Sequence, residues 1–423
     1  AVGNSAGQTN QGSTTVAIGT SAGSSSQQTN AVAIGNLAGR NTQGARSVAI
    51  GNLAANASQS NDSIAIGSVA GETNQGSSSV AIGTNAGANV QGNNSIAIGN
   101  GAGLNTQGNN AVAIGQAAGQ TSQGAQSIAI GVNTGSFSQI GFAIAIGSGA
   151  GQTNQGNSAV AIGASSGAVS QSTNAVAIGI FAGQTNQGTS AVAIGSNCGQ
   201  ISQGSSSVAI GVNAGAYLQL NSSIAIGDGA GRTNQAGNSI AIGQSSGSVS
   251  QSGFAVAIGV GAGLMNQNTN TVAIGQNAGL ASQGSSAISI GGNAGRTSQA
   301  SSAIAIGSNA GTVSQAVDAV AIGVNAGRTN QGTNAVAIGL STGANSQGIA
   351  SVAIGNNAGS NTQGSSSVAI GDGAAINSQG SAAIAIGLSA GQINQQDQCI
   401  AIGYSSGYNS QGSQSIAIGS LSG

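Results

Sequence analysis

Val16-Ala17-Ile18-Gly19 returns as Val/Ile-Ala-Ile-Gly every sixteen residues up to Ile416–Gly419, twenty-six times, without insertion or deletion and with Ser289 as its only departure at the alanine place. A chain held to one phase over such a length cannot choose freely among folds. Self-similarity at a fixed period of this size is the mark of a solenoid, in which each repeat is one coil and contacts mainly its neighbours. All 423 residues therefore read as a single continuous array, with no separate cap or anchor visible in it.

One coil, taken from Val16 to Ala31, serves for all. Alternating β-branched residues ended by glycine make a strand at Val16–Ile18. The places of Thr20 and Ser21 vary freely and read as a solvent-facing corner. A small residue follows, then a glycine at the place of Gly23 that yields only to Ala55 and Ala375, which marks a site short of room. The places of Ser24 to Ser26 lead to a glutamine kept in every copy, including Gln11, Gln27, Gln43, Gln59 and Gln75, and are expected to form a second, shorter strand. After it, the common glycine is replaced in eleven copies, so positive φ is not demanded there. At the place of Gly19, shared by Gly35 and Gly51, nothing but glycine occurs; a left-handed backbone or a very close neighbour is expected.

Two strands and two turns in sixteen residues favour a flattened, two-sided roll. Coils about 4.8 Å apart would make a rod on the order of 125 Å long. Composition agrees. There is no proline, as a continuous ladder of backbone donors requires. Disordered tracts can be as rich in glycine, but they do not hold Val and Ile in rigid phase. The eleven charges all fall at the places of Thr20, Ser24, Thr29 and Asn30, the turns and the solvent side of the proposed coil.

The strand has two faces, and both are constant in type. Val16 and Ile18 share one, Ala17 the other. A strand locked on both faces is covered on both. Val16, Ile18, Val48, Ile50, Val208 and Ile210 are assigned to the core, and Ala17, Ala49, Ala81, Ala209 and Ala225 to a flat contact with another chain; the inverse assignment also requires a partner. Stacked glutamines are expected to bond one another as an amide ladder.

Ser47-Val48-Ala49-Ile50-Gly51 and Ser79-Val80-Ala81-Ile82-Gly83 resemble the head repeat of trimeric autotransporter adhesins, the YadA-like left-handed parallel β-roll, over essentially the whole chain. Similar repeats occur in viral and phage fibre proteins. The resemblance implies a homotrimer outside the cell, or a virion fibre, extended end to end as a filament and contacting a host or matrix surface. The family's coil is typically a little shorter than sixteen residues, and no neck, heptad stalk or anchor barrel is seen here. The chain begins at the second residue of the motif and stops halfway round a turn, as a section of something longer would.

Chemistry finds little to work with. Without His or Lys there is no catalytic triad, no phosphate-loop lysine and no imidazole metal site. Asp228 and Asp372 each stand alone in Gly-Asp-Gly-Ala, whereas calcium takes six to eight oxygens; both read as solvated turns. Cys198 and Cys399 are more than twelve coils apart, too far to pair within a chain, and read as small buried residues, with an interchain bridge as the alternative. Phe137, Tyr217 and Met265 share a place that Thr and Asn dominate, so they make no aromatic stripe. A net charge of -1 offers nothing to nucleic acid, and no apolar run is long enough to cross a membrane as a helix. The expectation is a non-catalytic structural protein without cofactor or metal, an extracellular fibre or adhesin shaft. An ice-binding or ice-nucleating solenoid is the alternative, although the Thr-x-Thr rows usual in such proteins are missing.

Overall fold

The computed structural model describes residues 1–423. The chain is an all-β parallel β-solenoid of about 25 turns with sixteen residues to the coil, and it contains no helix. Two compact units follow one another, Ala1–Tyr217 and Leu218–Gly423. In the first, thirteen motif strands run from Val16–Ile18 to Val208–Ile210; in the second, thirteen run from Ile224–Ile226 to Ile416–Ile418. Pairing is parallel and in register at every rung, Val16 with Val32, Ala17 with Ala33 and Ile18 with Ile34 in the first unit, and Ile224 with Ile240 in the second. Equal spacing in sequence thus becomes identity in space, each side chain lying above its own equivalent.

Opposite this sheet, the glutamine segments pair in the same way, Thr121–Gln123 with Phe137–Gln139 and Thr233–Gln235 with Val249–Gln251. The turns between the sheets rest on left-handed backbone. Gly19 has φ +125°, and a Cβ there would stand 2.5 Å from the Gly35 carbonyl oxygen of the next coil. Gly35 and Gly51 repeat both features, each with 2.4 Å to the following glycine. Backbone crowding and positive φ both exclude a side chain at this place. Gly23 is left-handed too, at φ +51°. So are Ser21 (φ 54°) and Asn30 (φ 63°), places filled mostly by Asn, Ser and Gly, the residues that enter this region at least cost.

The interior is the reverse of the one expected. Ala17, Ala49, Ala81, Ala209 and Ala225 are fully buried within their own units and cannot meet another chain. Val16 and Ile18 are instead 39% and 42% exposed, and Val48, Ile50, Val208 and Ile210 are half-buried on the outer face. Room decides the matter. The glutamine side chain crosses the lumen, so that a Cβ added at Gly23 would lie 2.7 Å from the Gln27 amide oxygen. On the other wall, the Ala33 methyl would be only 3.4 Å from a Cβ at Gly39. Three alanines, Ala17, Ala22 and Ala31, with one amide fill the coil, and the branched methyls of Val or Ile would not fit among them.

Candidate functional site

Two features run along each unit, one inside and one outside. The inner one is built by the glutamines. Gln59 Nε2 donates to Gln75 Oε1 at 3.0 Å, and Gln75 Nε2 to Gln91 Oε1 at 3.1 Å. Gln11 reaches Gln27 likewise at 3.0 Å. Nε2 also donates across the roll to the carbonyl of the first motif residue, as Gln27 does to Val16 O at 2.8 Å and Gln75 to Ile64 O at 2.7 Å. One amide therefore ties the two sheets together and joins one coil to the next. Where Ser289 replaces alanine, its hydroxyl enters the ladder, accepting from Gln283 Nε2 at 3.4 Å and donating to Gln299 Oε1 at 2.7 Å. The links from Gln27 to Gln43 and from Gln43 to Gln59 are open, and the amide oxygens of Gln43 and Gln59 have no protein partner.

Other side-chain bonds lie between coils and within them. Asn61 Oδ1 accepts from Ala45 N and Asn93 Oδ1 from Ser77 N, both at 2.9 Å. At the place of Ala31, Ser63 and Ser79 donate back to backbone carbonyls three residues earlier, each at 2.6 Å. The preference for Ser or Ala at the place of Ala31 is a signal for the second kind of bond; the place of Asn61 holds Ser or Thr more often than Asn or Asp and gives none for the first.

The outer feature is a pair of aliphatic columns. Val or Ile at the place of Val16, and Ile at that of Ile18, stand side by side on every rung with no charged residue among them. Ile146, Ile194, Ile290 and Ile338 remain 36–37% exposed although each is stacked between equivalents above and below. Beyond the turn glycine, some coils add another exposed aliphatic residue, Val132, Ile180 and Val212 in the first unit and Val260, Val324 and Leu340 in the second. None of the eleven charged side chains is buried. The one ion pair joins neighbouring coils, Arg46 to Asp62, bidentate at 2.5 and 2.7 Å. That hydrogen bond lowers the Asp62 pKa and raises that of Arg46.

Asp228 and Asp372 lie exposed on corners. Cys198 and Cys399 are buried free thiols, one in each unit. Cys198 Sγ donates to Gly195 O at 3.0 Å, the bond that Ser166 and Ser246 make at the same place in their coils. Burial pushes its pKa up to about 12. Among known protein families and curated proteins, none matches this chain.

Proposed function

We propose that the chain is the shaft of an extracellular fibre or adhesin, non-catalytic, in which parallel copies pack their Val/Ile columns together. The observation that carries this reading is the size and regularity of the aliphatic face. At roughly 50 Å² of exposed surface for each of the 26 outward side chains in a unit, it amounts to on the order of 1,000 Å² of continuous apolar area. Soluble monomers rarely expose more than a few hundred, and a stable interface takes about 800 Å² from each partner.

Periodicity narrows the choice of partner. A surface with one rung per coil matches another of the same pitch at every rung, and a copy of this chain supplies that pitch. Closed rotation about an axis parallel to the columns would cover all of them without leaving a free edge. The resemblance of the repeats to trimeric adhesin heads supports three-fold symmetry, an extracellular place and contact with a host or matrix surface. A filament extended end to end belongs to the same reading.

Light scattering on the purified chain tests it. The expected mass is three times 39.3 kDa, and replacing Ile146 and Ile162, two adjacent rungs, by Asp should release monomers that keep their β-sheet circular dichroism. A parent that remains at 39.3 kDa at micromolar concentration would refute the assembly. Ice binding is the second reading, favoured by the flat, uncharged, evenly spaced methyl grid. Thermal hysteresis from a monomeric parent would select it.

A further inference from the structure

The glycine at the place of Gly23 guards the amide ladder. A Cβ added at Gly71 would fall 2.8 Å from Gln75 Oε1, and one at Gly167 2.7 Å from Gln171 Oε1. Two coils carry that Cβ naturally, at Ala55 and Ala375, both left-handed at φ 49° and fully buried. The glutamines they face are Gln59 and Gln379, and both have an amide oxygen without a protein partner.

The disturbance has a direction. One coil earlier, the oxygens of Gln43 and Gln363 are unpartnered as well. Gln43 Nε2 keeps Val32 O at 2.7 Å and Ser47 O at 3.4 Å, and Gln363 Nε2 keeps Val352 O at 2.9 Å and Ser367 O at 3.5 Å, the backbone bonds that glutamines of the intact ladder also make; only the link to the next amide is gone. One coil later the ladder is whole, with Gln59 to Gln75 at 3.0 Å and Gln379 to Gln395 at 3.2 Å. The methyl displaces the acceptor oxygen, which serves the N-terminal neighbour, and leaves the donor nitrogen, which serves the C-terminal one. Two consecutive links are lost on one side only, at both alanines. Gln139 also has an unpartnered oxygen with Gly135 in place, a single open link that nothing in the structure explains.

We propose that Ala55 and Ala375 are built-in yield points, one in each unit, at which the coils from Gln27 to Gln59 and from Gln347 to Gln379 open before the intact coils around them. Local opening in a repeat array depends on the bonds each coil makes with its neighbours, and in these coils the buried amide links are missing.

Hydrogen exchange by mass spectrometry on the full chain tests the proposal. Backbone amides in 27–59 and 347–379 should exchange about tenfold faster, or more, than those in 139–187, where the links 139 to 155, 155 to 171 and 171 to 187 are all made. Ala55→Gly should return the first segment to the slower rate. Gly167→Ala should create the same lesion in an intact region, speeding 139–171 and sparing the coil of Gln187. Gly149→Ala is the control, since it places a methyl at φ +65° with only Ser165 near it, Oγ at 3.5 Å and Cα at 4.0 Å; it imposes backbone strain without touching an amide, and should leave the ladder's protection unchanged. Uniform exchange along the parent overturns the proposal. So does Ala55→Gly leaving its upstream coils fast, or Gly149→Ala acting as Gly167→Ala does. If Gly167→Ala fails to fold, the Ala55→Gly measurement still decides.

Discussion

Replacing Gln171 by Ala should cost far more than removing an exposed ladder residue. Its amide accepts from Gln155 at 3.2 Å, donates to Gln187 at 3.0 Å and crosses the lumen to Val160 O at 2.8 Å, with a longer contact to Ala175 O at 3.3 Å that shares an N–H with these, while the side chain is 1% exposed. At about 1 kcal/mol net for each hydrogen bond, the three contribute about 3 kcal/mol. The missing amide and methylene leave a void of roughly 50 Å³, which adds about 1 kcal/mol. The total is about 4 kcal/mol. Stability in a repeat array is a sum over coils and their contacts, so the loss belongs to the coils from Gln155 to Gln187. Exchange there should quicken by about three powers of ten, with distant coils unchanged. Gln171→Leu keeps the volume and removes the three bonds, and should retain most of the loss. A Leu variant as well protected as the parent would show that the amides fill space and do not hold the coils together.

Gly163→Ala puts a methyl at φ +122° and 2.6 Å from the Gly179 carbonyl oxygen, and should destabilise its coils by about 3 kcal/mol or more; Gly292→Ala, with nothing within 4 Å, should change stability by less than about 0.5 kcal/mol, and thermal melts of the two variants check the contrast. Cys198, held neutral by burial, stabilises the fold below its unfolded pKa near 9 and loses that contribution as pH rises toward about 12; a melting temperature that rose between pH 9 and pH 11 would contradict this, and an aromatic disulfide reagent at pH 8 should label Cys198 only after denaturation. Asp62 works in the opposite sense, since its pKa is lowered by Arg46, so its contribution is present above the ordinary carboxylate pKa and is lost as pH falls through the lowered one. Being exposed, the pair should leave melting nearly flat from pH 5 to pH 8, and Asp62→Asn should be indistinguishable from the parent there.

Much of the coil could be read before any coordinates. The period dictates in-register stacking, and a place that tolerates nothing but glycine, as at Gly19 and Gly35, announces a backbone too close for a side chain. Alternation correctly puts Val16 and Ile18 on one face and Ala17 on the other. It cannot say which face is inside, because that depends on the volume of the lumen. The repeat marks Gln27 as bonding its equivalents, but alternation takes no account of the bulk with which it fills the coil. Once it is counted, only methyl groups fit beside it. The same omission bears on Gly23: its place reads as short of room, and the group that takes the room is the Gln27 amide. The left-handed corners at Ser21 and Asn30 could have been found from their Asn, Ser and Gly content.

The proposed assembly gives the aliphatic columns a reason beyond the single chain. Branched residues favour strands because their side chains lose little freedom on a pleated surface and shield the backbone, and that preference alone could place Val and Ile on an outer face. Threonine has the same branching and suits water better. If strand propensity were the whole cause, threonine would share these places, as it shares the place of Ser25 on the opposite sheet, where Thr121, Thr153 and Thr185 stand in line with Val169 and Ile201. Of the fifty-two outward places of the motif in twenty-six copies, none is threonine. Both sheets belong to the same coils and meet the same solvent in a lone chain, so propensity and solubility would act on them alike. What distinguishes the motif face is the exclusion of hydroxyls, and exclusion of hydroxyls is what a dry contact requires: a threonine buried there would lose its water without gaining a partner across a surface of methyl groups.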